Sequence, residues 1–466
     1  MTFTLSTIRR VAVIGAGPGG LIAAKQLKEE GVFDKITVFE RNDQVGGTWI
    51  YSSETNNNPP LPSVNALQVD PPVLDNNKVP KFCPLKSAVY AGLHTNLPTS
   101  VMKYRDFDFD ANVPLFPSHG HVLHYLQQFT QAHDLQPLIQ FNTSVVKADY
   151  DDKLNEWTLT LQTKQDGLYT DTFDAVIVAT GHYAIPYIPD FDGIDSLDIN
   201  GISWMHSRDY RLPDTFKDKT VLVIGSGSSG LDIVRETSQV AKKVYHCVRS
   251  DNKQSIQAHA QDASNVERVG LVNRILKDGR IECNSQNTTT SSLSVLSVDH
   301  IVFATGYLYS FPFFPFEQDN LIKDGQSVDH LHEYLFYIKN PTLAFLGLPI
   351  RIVPMPLLQT QAVLVARCWN PHSSVSVPSQ HVMQTTYDQL YGDGTIHRSF
   401  VMNTQTEFAY VDRLAAWAEG YPPSLSTDHL LHWHANSTDP ITRPLSEEWK
   451  QLRIDALVLR KQYLGY

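Results

Sequence analysis

Residues Arg10 to Ile14 form a short apolar run, followed by Gly15-Ala-Gly17-Pro-Gly19-Gly20 and then by GLIAAKQLKEEG, where Leu21, Ala24 and Leu27 recur at helical spacing. This pattern predicts a strand, a glycine turn and a helix that Gly31 ends. Apolar residues resume from Lys35 to Phe39 as a second strand, which closes on Glu40, twenty residues after Gly20. The order then repeats. TVLVI, from Thr220 to Ile224, reads as a strand, Gly225-Ser226-Gly227-Ser228-Ser229-Gly230 as a turn, and the stretch after it as a helix with Leu231, Val234 and Ala241 on one face. The next strand, KVYHCV, leads to Arg249 and Ser250. Two further apolar runs end alike: Phe173 to Ala179 enters Thr180-Gly181-His182, and His300 to Ala304 enters Thr305-Gly306-Tyr307. From Ser446 to Tyr466, charged residues including Glu447, Lys450, Arg453, Arg460 and Lys461 alternate with apolar ones, predicting an amphipathic surface helix.

In a strand, glycine turn and helix of this kind, the first glycine permits the tight bend and the second lets a pyrophosphate approach the backbone. The third lets helix and strand pack closely. Free N–H groups at the helix start then meet the phosphates. Gly15, Gly17, Gly19 and Gly20 supply such a turn, and Glu40 is placed to accept hydrogen bonds from ribose hydroxyls. A lone G-x-G-x-x-G also serves ordinary turns; two strands, a helix and a terminal acid make this one specific for a dinucleotide. Gly46-Gly47-Thr48-Trp49 follows soon after Glu40-Arg41. Its glycines let backbone lie along the cofactor and its aromatic ring can pack on it, which favours FAD over NAD, although Trp49 alone would read as core. In the second unit no acid stands where Glu40 stands in the first. The cation and hydroxyl of Arg249 and Ser250 suit a 2′-phosphate, so NADPH is expected over NADH. Taken singly, Arg249 also reads as a solvated surface charge.

A chain of 466 residues exceeds the size at which one core keeps growing. The fold class expected is α/β, with two Rossmann-like dinucleotide-binding domains, the NADPH domain inserted into the FAD domain. The two matching exits at Thr180-Gly181 and Thr305-Gly306 mark the crossings. The expected boundaries are 1–182 for the first part of the FAD domain, 183–298 for the NADPH domain, and 299–466 for the second FAD part with C-terminal helices. The Asn- and Pro-rich stretch from Ser52 to Cys83 is too long for an ordinary connection and reads as a packed functional loop. With 38 basic against 49 acidic residues the net charge is −11, which repels nucleic-acid backbones. Cys83, Cys247, Cys283 and Cys368 stand apart, with no C-x-x-C pair for a zinc site or a redox disulfide, and no metal is expected. Neither a signal peptide nor a membrane anchor is legible, so a cytoplasmic setting is expected, in which the sequons at Asn142, Asn287 and Asn436 carry no meaning.

With two such turns, GGTW after the first and A-T-G exits on both sides, the chain resembles the flavin-containing monooxygenases, a class B flavoprotein family, over nearly its full length. The soluble, fungal-type members are the nearer likeness, since the apolar C-terminal anchor of animal members is lacking. Gly201-Ile-Ser-Trp-Met-His206-Ser207-Arg-Asp-Tyr210-Arg211 is similar to the family's fingerprint between the domains. Tyr210 with Arg211 favours the flavin-containing branch over the Baeyer–Villiger branch. Gly201 sits one residue further from His206 than the fingerprint has it, and Ile199 stands where its phenylalanine would. The resemblance gives His206 a domain-linking role. It also places Asn96, within His94-Thr95-Asn96-Leu97, beside the flavin's reactive edge as the catalytic amide, and Gln361 near the flavin. Without it, Asn96 is a turn residue before Pro98.

The resemblance implies that NADPH reduces FAD, that the reduced flavin forms a C4a-hydroperoxide with O2, and that a soft nitrogen or sulfur nucleophile takes the distal oxygen, an N,N-dimethylaniline monooxygenase type of activity. The cofactor carries the hard chemistry, which is why no triad or metal cluster is needed. The partners implied are a small nucleophilic substrate and O2, and a homodimer is compatible. Three other readings stay open: a Baeyer–Villiger monooxygenase, an amino-acid N-hydroxylase, and a non-catalytic dinucleotide-binding sensor. A disulfide reductase would need the missing C-x-x-C.

Overall fold

The computed structural model describes residues 7–71, 86–165, 167–248, 263–284, 293–314, 321–391, 396–421 and 439–464. Arg10–Ile14, Lys35–Phe39 and Thr220–Ile224 are strands with the expected bounds. Their apolar residues are divided between two faces at the period of a strand. Val11, Val13 and Val38 enter one core, while Ala12, Ile14 and Phe39 enter another. The helix Pro18–Glu30 covers the first of these cores and ends on Gly31 at φ 66°. The helices His119–Ala132, Pro354–Trp369 and Thr404–Ala418 share that face.

The larger sheet orders its strands Leu331–His332, Phe336–Tyr337, Leu343–Phe345, Ala175–Val178, Arg10–Ile14, Lys35–Phe39 and Ile139–Gln140. Its last five strands are parallel, as helix crossovers require. An antiparallel meander, Thr143–Asp151, Glu156–Thr163 and Leu168–Phe173, closes its other face through Trp157, Leu159 and Phe173. The second sheet is parallel throughout, in the order Val266–Val269, Lys243–Cys247, Thr220–Ile224, His300–Phe303 and Ser203–His206. His300–Phe303 lies beyond residue 298 yet pairs in this second sheet, so the chain returns to the first unit after Phe303 rather than at 299. The two crossings lie side by side: Ile185–Pro186, leaving the first unit, pairs antiparallel with Tyr307–Leu308, coming back.

The helix after the second turn spans Ser228–Ser238, so Ala241, expected on its face, lies in the turn beyond it, still buried. That helix buries Asp232, Glu236 and Thr237 beside Ile233 and Val234, and leaves Leu231 half-buried. The chain ends in the surface helix Glu447–Leu464, of which Ala456 alone is buried. Among the described residues no helix is long and apolar enough to cross a membrane.

Candidate active site

Each glycine turn is tied to the strand that comes after it. The Gly15 N–H donates to the Phe39 carbonyl at 2.8 Å and the Gly225 N–H to the Cys247 carbonyl at 3.1 Å. The last glycine sets how closely helix and turn approach. A Cβ on Gly20 would stand 1.8 Å from the Gly15 oxygen, and one on Gly230 2.2 Å from the Gly225 oxygen. No side chain fits at either place. The A-T-G exits belong to the cradles as well as to the crossings, because Ala179 borders Gly15 and Ala304 borders Gly225.

In the first cradle, Gly47 packs back to back with Gly17. A Cβ on Gly47 would lie 2.8 Å from the Gly17 Cα, and the Gly46 N–H donates to the Ala16 carbonyl at 3.0 Å. Glu40 is buried. Its Oε2 accepts the Ala16 N–H at 2.7 Å, and its Oε1 accepts the Asn42 N–H and Nδ2, each at 2.8 Å. Oε2 keeps a further lone pair. Along this floor runs a cavity of about 550 Å³, bordered by Gly15, Gly17, Glu40, Arg41, Thr48 and Trp49. Gly19 also lines it and rests 3.2 Å, by the same measure, from Leu358 Cδ2, whereas Gly20 lies behind, packed on the turn.

His182 borders the same cavity, and burial pushes it down to about 4, so the ring is neutral. Its nitrogens are shielded from solvent and held by nothing firmer than the Gly347 backbone. A sheltered imidazole without a strong partner fits a site whose partner arrives with a cofactor. Glycine backbone along the floor, a carboxylate at the end of the second strand and this imidazole together suit FAD. His182 and the wall from Leu346 to Leu358 had no spacing signal in the sequence beyond a histidine following A-T-G. Gln361 is placed differently from its expected position: it is buried on the helix Pro354–Trp369 and does not line the cavity. Its Oε1 accepts the Gly347 N–H at 2.9 Å and its Nε2 donates to the Tyr410 hydroxyl at 3.1 Å, so it holds the wall.

The second cradle opens to solvent. Gly227 and Ser228 are exposed, Ser226 and Ser229 half-buried, and a Cβ on Gly227 would meet nothing within 4 Å. A helix start with free N–H groups and open space before it suits the pyrophosphate of NADPH. Arg249 and Ser250 lie outside the described residues. Across from this turn stands the segment Thr95-Asn96-Leu97. Thr95 and Leu97 are buried, and the Thr95 hydroxyl donates to the Leu97 carbonyl at 2.8 Å, pinning the turn. Asn96 projects between them, exposed, with its Nδ2 3.4 Å from the Ser228 Oγ. The structure therefore brings Asn96 to the second cradle; it is not among the residues bordering the cavity.

The linker fastens the two units. His206 is fully buried, its Nδ1 accepts the Arg208 N–H at 3.1 Å, and its ring meets Tyr307 of the returning crossing edge-on. Burial, and then the Arg208 charge, push it down to about 3, so it stays neutral. Arg211 donates to the carbonyls of Ser52, Glu54, Ser87, Arg208 and Tyr210, and Asp209 accepts the Asn56 N–H at 2.9 Å. The first part of the Ser52–Cys83 stretch is thus docked on the linker. The Ser87 hydroxyl donates in turn to the Thr48 carbonyl, joining the GGTW turn to the segment that leads to Asn96. Ile199 is almost wholly exposed and touches no core.

The model of the flavin-binding monooxygenase-like family matches residues 84–262 and 282–427, and that of an NAD(P)-binding Rossmann-like domain matches residues 13–65. Flavin-containing monooxygenase FMO GS-OX-like 2 of Arabidopsis thaliana is 34% identical over 439 residues, covering 90% of this chain and 86% of that one. The structure of S-allyl-L-cysteine S-oxygenase from Allium sativum superposes with a TM-score of 0.74 at 27% identity, over 99% of this chain and 100% of that one. OTEMO in complex with FAD and NADP shares the fold, with a TM-score of 0.56 at 16% identity, over 85% and 93% of the two chains.

Proposed function

The chain belongs to the flavin-binding monooxygenase family as an FAD-containing, NADPH-dependent monooxygenase, and we propose that it oxygenates small molecules at a soft sulfur or nitrogen atom, using O2. The observation that supports this reading is the pairing of two unlike cradles, one a buried cavity and one an open turn, with Asn96 reaching from the first unit to the second. The sulfur preference is supported by the Allium sativum neighbour, which is an S-oxygenase. When bound, the flavin supplies the redox chemistry, taking a hydride from the reduced coenzyme and activating oxygen.

The protein's part is to bind, orient and keep water out. Gly15, Gly17, Gly19 and Gly47 present backbone to the FAD pyrophosphate, and Glu40 accepts from its ribose. Arg41, Thr48 and Trp49 border the same space. Gly225 and Ser226 shape the turn, from which Gly227, Ser228 and Ser229 present N–H groups and hydroxyls to the coenzyme phosphates, and Arg249 pairs with the 2′-phosphate. Asn96, whose amide does not titrate, would act by hydrogen bonding alone, holding the coenzyme at the second cradle so that oxygen is kept beside the flavin. His182 and His206 stay neutral and serve as fixed hydrogen-bonding and packing groups.

The test is a panel of thioethers, thiols, amines and ketones, scored for NADPH oxidation, O2 uptake and oxygenated product. Sulfoxide or N-oxide formed in step with NADPH is the expected result. Ester formation from a cyclic ketone alone would make the protein a Baeyer–Villiger enzyme, narrow turnover of one amino acid an N-hydroxylase, and absence of any NADPH-dependent O2 uptake by flavin-loaded protein a sensor.

A further inference from the structure

Three parts of the molecule meet at Asp232. This residue is buried one turn inside the helix Ser228–Ser238. Its Oδ2 accepts the Tyr90 hydroxyl at 2.6 Å, and both its oxygens accept from Arg460 Nη2, at 3.1 and 3.2 Å. Arg235, on the same helix, stands 3.9 Å away. Tyr90 opens the segment that runs to Thr95-Asn96-Leu97, and Arg460 belongs to the C-terminal helix Glu447–Leu464. Beside this junction the Tyr210 hydroxyl donates to Glu236 Oε2 at 2.7 Å, and Gly92 lies close against the Glu236 carboxylate.

The C-terminal helix has further anchors on the first unit. Tyr463 packs its ring 5.9 Å from that of Phe116, whose neighbour Pro117 accepts the Thr95 N–H at 2.9 Å. Arg453 pairs with Glu407, on the helix Thr404–Ala418, at 3.1 Å. Trp449, Leu452 and Ala456 seat the first part of the helix on the main core. The place of its last turns is set by the polar and aromatic anchors at Arg460 and Tyr463. The side chains of Arg460 and Asp232 are 12% and 7% exposed, and an ion pair so sheltered demands its geometry, because either charge left alone is poorly solvated.

We propose that the Glu447–Leu464 helix is a strap across the two units, and that Arg460 is a positioning residue that sets the coenzyme cradle against the Asn96 segment. The proposal rests on the reading of Gly225 to Gly230 as the NADPH cradle. The direct contacts between the units at this point are the long one from Asn96 Nδ2 to Ser228 Oγ at 3.4 Å and the short one from the Tyr90 hydroxyl to Asp232 at 2.6 Å. Arg460, bonding both oxygens of the same carboxylate, fixes Asp232 where it receives Tyr90 and so adds to that restraint. A coenzyme touched by both sides binds more tightly when the two sides are already in place, and by linkage its binding tightens the strap.

The experiment uses the full-length, FAD-loaded protein. In Arg460→Ala the KM for NADPH and the Kd for NADP+, read from the flavin spectrum, should rise about tenfold. The kcat at saturating NADPH and the FAD content should stay unchanged. NADP+ should slow tryptic cleavage within the C-terminal helix in the wild type and lose that effect in the variant. Arg460→Lys should recover most of the affinity, and Lys461→Ala, an exposed neighbour, should alter nothing. Tyr463→Ala, which leaves the ion pair intact, should shift KM in the same direction by less. A wild-type KM and Kd in Arg460→Ala would overturn the strap, and so would losses of FAD and kcat in proportion to affinity, since those mark general unfolding. If the wild type itself neither binds NADP+ nor oxidises NADPH, the cradle reading fails before the strap is tested.

Discussion

Both helices that follow the glycine turns bury polar side chains, Lys25 and Gln26 on the first and Asp232, Glu236 and Thr237 on the second, but the first is buried without a break from Gly19 to Leu27, whereas the second opens on the exposed Ser228. The first packs on Pro354–Trp369 in the main core, and its turn is backed by Gly47. The second is held by a tyrosine from one segment and an arginine from another. One motif can therefore cradle two kinds of guest. A deep cavity backed by the main core suits a group that stays through many turnovers; an open turn restrained by polar contacts suits one that leaves in each.

The largest effect that would break this contrast is at the glycines. Gly20→Ala puts a Cβ 1.8 Å from the Gly15 oxygen and should yield colourless or insoluble protein, while Gly227→Ala enters open space and should leave a folded, yellow one. Flavin absorbance per mole of protein decides it, and equal losses would show that the two turns tolerate change alike. Next comes the division of labour between coenzymes. Arg249→Ala should weaken NADPH use roughly ten- to hundredfold while sparing NADH, since a hydrogen bond to a charged group contributes about 1.5 to 3 kcal/mol. Equal losses for the two coenzymes would place Arg249 on the shared pyrophosphate or in the fold. Glu40→Gln should weaken FAD by about the same factor, measured by titrating FAD into apoprotein, with the KM for NADPH untouched.

Asn96→Ala removes one amide at the contact between the cradles, at a cost of about 1 kcal/mol. Hydride transfer should survive, and hydrogen peroxide release should rise several-fold at the expense of product. Unchanged coupling would return Asn96 to a turn residue before Pro98. The smallest effect at neutral pH concerns buried histidines. Burial lowers His206 to about 3 and His182 and His300 to about 4, from 6.5. Being depressed in the fold, they contribute stability that is full above about pH 6.5 and is lost as pH falls towards 4, up to about 1.4 kcal/mol per unit for each. Tm should thus drop between pH 7 and pH 5. His119, His133 and His332 are lowered by burial as well, so both units share the effect; a Tm flat across this range would mean that the rings carry protons in the fold.

Local order was legible in the sequence wherever chemistry and periodicity coincide. The three strands with expected bounds are apolar runs stopped by glycine or acid, and Glu40 sits at the end of its strand as the spacing required. Membership was harder to read. His300–Phe303 is apolar on both faces, as a buried parallel strand must be, and nothing in it says which sheet it joins. Gln361 was expected near the flavin from the family resemblance alone, and on its helix its side chain turns to Gly347 and Tyr410 instead. The cluster at Asp232 was illegible, since Tyr90 lies 142 residues before it and Arg460 228 after it.

The larger sheet sets an order of events during synthesis. Leu343–Phe345 lies beside Ala175–Val178, and the whole second unit is spelled out between them. The inserted unit has every strand of its own sheet once Phe303 has emerged, while the surrounding one still lacks a neighbour for its central strands and the helix Pro354–Trp369 that roofs its core. Domains fold as units as they leave the ribosome. The segment translated in the middle should therefore mature first, and the N-terminal portion should wait for the distant half of its own hydrophobic interior before it can take up its pigment.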